Sequence, residues 1–220
     1  MQGIMETIFD VLYLGTAIFL GVRMLKASAK GSQFWLFGLM AVILGSGDAF
    51  HLVPRAAALL TDGLQNHVAA LGAGKLITSI TMTVFYLLLY QVWRVRYEIR
   101  GQKCVSYTLY ALAAIRVALC LFPQNGWFSP DASTAWGIYR NIPFAIMGII
   151  VIVLFFQSAK KAGDRAFRFM WLAVTLSFAF YIPVVLQPET FGILMIPKTI
   201  MYAWIVIMGY LDMKKGSKVR

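Results

Sequence analysis

The chain has 220 residues, of which 60% are hydrophobic and 13% charged, and its mean hydropathy is +0.73. These values exclude a soluble domain and predict a polytopic protein whose first partner is the lipid bilayer. The formal net charge is +11. The basic residues form short clusters between apolar segments, which is typical of membrane topology signals and argues against nucleic-acid binding. We expect an integral membrane protein, with a bacterial cytoplasmic membrane as its default location.

Seven apolar segments are each long enough to span a bilayer with some tilt. They cover approximately residues 4–25, 34–53, 68–92, 104–122, 136–157, 166–187 and 191–211. The first lacks a basic leader and carries two acids, so we interpret it as a spanning helix and not as a cleaved signal. The connections are short. We therefore predict an all-α fold, with residues 1–220 forming one domain of seven transmembrane helices in which sequential helices are antiparallel neighbours.

The basic residues alternate from one connection to the next. Asp62, Asp131 and Glu189 lie in the connections that carry little positive charge, where Arg55 is the one basic residue at the rim. The positive-inside rule then predicts that the N-terminus is outside and the C-terminus inside. The residues of the basic connections and tail are Arg23, Lys26, Lys30, Arg94, Arg96, Arg100, Lys103, Lys160, Lys161, Arg165, Arg168, Lys214, Lys215, Lys218 and Arg220.

The remaining charges concentrate at one membrane level. This topology places five basic residues and three acids in the outer halves of their helices. Ionisable groups at membrane depth usually face the protein interior or a water-filled cavity, so we expect a cavity there. Because the cations outnumber the acids, we expect its ligand to be an anionic or carbonyl-rich small molecule or a lipid head group. The residues are Arg55, Lys75, Arg116, Arg140 and Lys198, with Glu6, Asp10 and Asp48 as charge partners.

One stripe of the second helix carries Asp48, His51 and Arg55 at positions i, i+3 and i+7. Asp48 and His51 would be an acid/base pair in an enzyme, or would provide proton coupling or gating in a transporter. Arg55 would bind a carboxylate or phosphate as a fork, or would extend to the membrane interface.

The third helix presents Lys75, Ser79 and Tyr86 on one stripe, and we expect Lys75 to pair with Asp48 or Asp10. The preceding Gly72-x-Gly74 would let another helix or a ligand approach the backbone closely. Further ligand-binding candidates lie on helices 4, 5 and 7. They are Arg116, Arg140, Asn141, Lys198 and Tyr202.

The connection at 122–128 contains aromatic residues around a turn, and is either an interfacial anchor or a lid over the cavity. A weak repeat relates Ser28-Ala29-Lys30-Gly31 to Ser158-Ala159-Lys160-Lys161, and predicts a 3+1+3 arrangement of parallel repeats. Seven helices in this arrangement resemble the architecture of sugar-efflux transporters of the SWEET type and of the KDEL receptor.

The sequence identifies no cofactor. His51 and His67 are the two histidines of the chain and flank the same connection, so we do not expect zinc. Lys198 is similar in position to the Schiff-base lysine of retinal-binding opsins. Leu194, however, occupies the place of the acid found in microbial opsins, so retinal is a minor alternative.

Two classes of function remain at this level. The first is a ligand-binding transporter or receptor with a cation-lined outer cavity. The second is a membrane-embedded enzyme that processes a lipid, with Asp48 and His51 as its acid and base. The sequence leaves the oligomeric state open.

Overall fold

The computed structural model describes residues 2–61, 63–130 and 132–218, and these residues form helices and short connections without strands. Short helical turns occupy Leu64–His67, Pro123–Asn125, Pro188–Phe191 and Gly192–Leu194. The side chains of Asp62, Asp131, Glu189, Lys218 and Arg220, which the predicted orientation uses, lie outside this description. The seven long helices are α1 (Gln2–Ala27), α2 (Gln33–Leu60), α3 (Val68–Arg96), α4 (Lys103–Leu121), α5 (Thr134–Ala162), α6 (Met170–Leu186) and α7 (Met195–Lys218).

Among the described residues, six helices are long and apolar enough to cross a membrane, judged by length and composition. The exception is α6, an apolar helix of 17 residues. At 1.5 Å per residue it measures about 26 Å, slightly less than a typical hydrocarbon core. The predicted all-helical bundle with several helices long and apolar enough to span a membrane is confirmed. We call the end of the bundle with connections 28–32, 97–102 and 163–169 the basic end, and the opposite end the cavity end.

Several predicted helix boundaries are wrong: α5 extends past 157 to Ala162, and α7 covers Met195–Lys218 instead of 191–211. Two further boundaries are wrong for local reasons that hydropathy does not register. The predicted end of α2 before Pro54 is too early, because the helix continues through this proline to Leu60. The predicted start of α6 at residue 166 is too early as well. The Oδ1 atom of Asp164 accepts hydrogen bonds from the backbone N–H groups of Ala166 and Phe167, which holds a turn there and delays the helix to Met170.

The proline in α2 lies beside the closest approach of α3. Pro54 has no N–H, so the carbonyl of Phe50 four residues earlier lacks its usual helical partner. Gly74 of α3 packs against this carbonyl: a Cβ atom at Gly74 would lie 2.3 Å from the Phe50 oxygen and 2.6 Å from the Cα of His51. The predicted role of Gly74 in close helix approach is therefore fulfilled by α2, and this contact places His51 next to α3.

The basic end is tied together by one arginine. Arg96 donates to both carboxylate oxygens of Asp164, at 2.5 and 2.8 Å, and to Asp212 of α7 at 2.5 Å. Its guanidinium lies over the ring of Phe167, with 3.7 Å to the centroid. Burial raises the pKa of Asp164, but the hydrogen bonds from Arg96 and from the backbone of Phe167 outweigh it, so the pKa lies below its usual value. This Arg96 cluster joins α3, α7 and the α5–α6 connection.

We expect Gly74→Ala to lower the free energy of unfolding by about 1–3 kcal/mol, because the added methyl group meets backbone atoms of α2 that cannot rotate away. The matched control is Gly15→Ala on the exposed face of α1, where a Cβ atom meets nothing within 4 Å. Thermal unfolding of both variants in detergent measures the effect. Equal midpoints for the two variants would contradict this account of the α2–α3 contact.

Candidate functional site: a cationic cavity

A cavity of about 390 Å³ opens at the cavity end among α3, α4, α5, α6 and α7, and the connection at 122–133 forms one wall. Four basic side chains line it, and no carboxylate of the described residues does. A wider, more open depression of about 570 Å³ surrounds the Arg96 cluster at the basic end. The arginine there is already paired with two acids, so we place the candidate site in the first cavity. The basic residues of this cationic cavity are Lys75, Arg116, Arg140 and Lys198.

Arg116 is the most deeply buried of these cations. It is 2% exposed, and its guanidinium lies over the ring of Phe144 with 3.4 Å to the centroid. Its Nε and Nη1 atoms are buried and have no hydrogen-bond partner among the described residues, while the thiol of Cys120 is its neighbour one turn later. A buried guanidinium with unsatisfied donors costs several kcal/mol unless an acceptor joins it. These two donors are therefore available to an anion in the cavity.

Arg140 connects the wall of the cavity to the helices. Its Nη1 donates to Oδ1 of Asn125 at 2.7 Å, and its guanidinium lies 4.2 Å from the ring centroid of Trp127. The amide of Asn125 in turn donates to the carbonyl of Leu119, also at 2.7 Å. The carbonyl of Trp127 packs onto Gly72 of α3, where a Cβ atom would lie only 1.6 Å away. The aromatic connection is thus fixed against both α3 and α5.

Lys198 lies between the cavity and the acids of α1 and α2. It is 8% exposed, and its Nζ atom is 5.3 Å from the ring centroid of Tyr181 and 5.6 Å from that of Tyr202. It also interacts electrostatically with Asp48. Among the described residues it makes no ion pair within 4.0 Å. Lys198 therefore faces an acid on one side and the cavity on the other.

The acids form a separate group between α1 and α2, which we call the carboxylate cluster: Glu6, Asp10 and Asp48. Glu6 pairs with Arg55. Tyr13 donates a hydrogen bond of 2.6 Å to Oδ2 of Asp48, which is 8% exposed. Asp10 is 7% exposed, and its Oδ2 atom is buried without a hydrogen-bond partner among the described residues.

Most of the ligand-binding candidates from the sequence line the cavity. The helices that contribute them are α3, α4, α5 and α7. The lining ligand-binding candidates are Lys75, Ser79, Arg116, Arg140, Asn141, Lys198 and Tyr202, and His51, the candidate base, lines the cavity as well.

Other candidates lie elsewhere. Arg55 does not line the cavity, because α1 packs against its side of α2 and supplies Glu6. Tyr86 is fully buried in the core, and its hydroxyl lies 3.4 Å from that of Ser177. The expected pairing of Lys75 with Asp48 or Asp10 is wrong, since Lys75 lines the cavity with Arg140 as an electrostatic neighbour.

The structure does not join Asp48 and His51 as an acid/base pair. Asp48 is hydrogen-bonded to Tyr13, whereas Nδ1 of His51 is buried without a partner in the described part of the chain. The two side chains leave α2 toward different neighbours: Asp48 meets α1, and His51 lines the cavity. Helical spacing placed them on one stripe but did not determine which neighbour each would contact.

Sequence reasoning missed Tyr13 and Tyr181, and it named the connection at 122–128 as an anchor or a lid without assigning roles to Asn125 and Trp127. A signal existed for Tyr13, because Glu6, Asp10 and Tyr13 repeat at i, i+4 and i+7 on α1 and thus share one face. The aromatic residues and the turn drew attention to the connection at 122–128, but an irregular segment has no periodicity from which the contacts of Asn125 and Trp127 could be predicted.

Comparison with protein-family models, curated proteins and solved structures finds no match for this chain. Within the described residues, no group of three or more His, Cys, Asp or Glu side chains is arranged to hold a metal ion. We therefore infer function from the chemistry of the cavity.

We expect Arg116→Met to raise the unfolding midpoint of the ligand-free protein, because it removes a buried charge whose donors are unsatisfied. The control is Arg96→Met, which removes an arginine bound to two carboxylates and should cost roughly 3 kcal/mol. Thermal unfolding in a buffer with a neutral pH and a single monovalent salt compares the two. A strong destabilisation by Arg116→Met would show that Arg116 is a structural partner and not a ligand donor.

Proposed function

We propose that this chain is an integral membrane protein that binds an anionic small molecule or anionic lipid head group in the cationic cavity, as a transporter or a receptor. One observation carries the proposal: four basic side chains line a cavity to which no described residue contributes a carboxylate. Like charges gathered in a partly buried site repel one another, and a bound anion removes that repulsion.

The polar groups around the cations suit an oxyanion. Two donors of Arg116 are unsatisfied among the described residues, and the amide of Asn141 donates one hydrogen bond to the carbonyl of Gly137 and has a second N–H on the cavity wall. Guanidinium donors match the geometry of carboxylate and phosphate oxygens. The volume of about 390 Å³ falls within the usual range for small-molecule sites. The expected ligand is therefore a compact anion, or the head group of a lipid that enters the cavity.

The positive-inside rule supports a cavity that opens outward, with the N-terminus outside and the C-terminus inside, in a bacterial cytoplasmic membrane. In that orientation the Arg96 cluster closes the cytoplasmic end. A cavity open on one side with an ion-pair cluster on the other is typical of one state of an alternating-access transporter, and a 3+1+3 repeat would supply the two moving halves. A receptor would need only the open side.

A lipid-processing enzyme gains less support. Its proposed acid and base, Asp48 and His51, do not share a hydrogen bond, and Asp48 is held by Tyr13 from the opposite side.

The experiment is a thermal-shift series on the purified protein with sulfate, inorganic phosphate and vesicles containing phosphatidic acid, each against chloride at equal ionic strength. We expect a bound anion to raise the unfolding midpoint in a saturable manner, since ligands that bind only the folded state stabilise it by mass action. A shift with the free anions indicates a solute site, and a shift with the lipid alone indicates a head-group site.

Two variants locate the effect. Arg116→Met should abolish the shift, whereas Lys30→Met, which removes an exposed lysine at the basic end, should leave it unchanged. Equal shifts in the wild type and Arg116→Met would contradict binding in the cavity.

A further inference from the structure

The carboxylate cluster contains three acids, and two basic side chains, Arg55 and Lys198, interact with these acids among the described residues. Glu6 is paired with Arg55, which also acts electrostatically on Asp10, whereas the basic side chain that acts on Asp48 among the described residues is Lys198. Lys198 is not dedicated to them, because it also lines the cationic cavity. One ammonium group is therefore shared between two sites that both require it.

We propose that Asp48 is a proton-binding site coupled to the cavity through Lys198. This inference rests on the proposed anion binding and goes beyond it by assigning a proton as the second ligand. An anion in the cavity draws the Lys198 ammonium away from Asp48. The carboxylate, left in a buried site beside Asp10, then takes up a proton.

The surroundings of Asp48 favour this response. On α1 it faces the hydroxyl of Tyr13, which donates to Oδ2 at 2.6 Å, and it interacts electrostatically with Asp10. On α7 it faces Lys198, and Tyr202 lies close to Tyr13. On α3 the neighbours of this part of α2 are Thr78, which donates to the carbonyl of Gly47 at 3.0 Å, and Thr81.

Lys198 is thus the titratable cation that interacts with Asp48, since Arg55 is engaged by Glu6 and Lys75 lines the cavity. Losing it leaves a buried carboxylate beside another acid and a single phenolic donor. Both burial and the neighbouring negative charge favour the protonated form of a carboxylate.

The step balances in atoms and charge. The proton comes from bulk water, an O–H bond forms on the Asp48 carboxylate, and no other bond is made or broken. For a monoanion, one negative and one positive charge enter together, so the loaded protein keeps its net charge. In a transporter this stoichiometry corresponds to symport of an anion with a proton.

The first test needs no ligand. Lys198→Met removes the ammonium permanently and should give the infrared carbonyl band of a protonated carboxylic acid at neutral pH, which the double variant Lys198→Met/Asp48→Asn should lack. Lys75→Met is the matched control, because it removes a lysine of the same cavity that does not interact with Asp48. If Lys198→Met fails to fold, Lys198→Gln provides the same comparison. Absence of the band, or its persistence in the double variant, would overturn the proposal.

The second test measures protons on ligand addition. Sulfate is the probe because it does not titrate near neutral pH, and a pH indicator in weakly buffered detergent solution records uptake. We expect up to about one proton per bound sulfate in the wild type, in line with one carboxylate per site, and none in Asp48→Asn. Stabilisation by sulfate without proton uptake would overturn the coupling alone. Absence of stabilisation would instead overturn anion binding, and the infrared comparison would still decide whether Asp48 depends on Lys198.

Discussion

The repulsion among cations that line one cavity is the constraint on which the site depends. Lys75, Arg116, Arg140 and Lys198 line one cavity, whereas Glu6 pairs with Arg55 and Asp48 accepts a hydrogen bond from Tyr13 of α1, so no described carboxylate lines the cavity. Such an arrangement is costly in a medium of low dielectric constant. A bound anion would explain this arrangement, because relief of the repulsion among the cations would contribute to the free energy of binding.

Arg96 and Arg116 illustrate two uses of the same residue. At the basic end, Arg96 has two carboxylates and an aromatic ring, so its donors are satisfied within the protein. At the cavity end, Arg116 lies over an aromatic ring, and two of its nitrogen atoms lack acceptors among the described residues. Arg96 thus joins three parts of the chain, whereas Arg116 has N–H donors that a ligand could satisfy. Lys198 lies between these two cases, since it interacts with Asp48 on one side and lines the cavity on the other.

The seven helices could be predicted from the sequence because apolar length is a strong signal, and errors arose where single residues control a boundary, as Pro54 and Asp164 do. A cavity lined by the rare charges of the apolar helices could also be expected, since such charges are costly, and four of them line one cavity, while its level in a membrane stays a prediction. How those charges pair with one another could not be predicted. Helical spacing places Asp48 and His51 on one stripe, but the close approach of α3 at Gly74 and the position of Tyr13 on α1 decide that they face different neighbours.

Native mass spectrometry of the gently purified protein tests the central claim most directly, because it detects an endogenous ligand without assuming its identity. The account predicts that the wild type retains an anionic small molecule or lipid, that Arg116→Met loses it, and that Lys30→Met keeps it. Retention of the same species by Arg116→Met, or bare protein in all three preparations after extraction in several mild detergents, would contradict an anion-binding cavity.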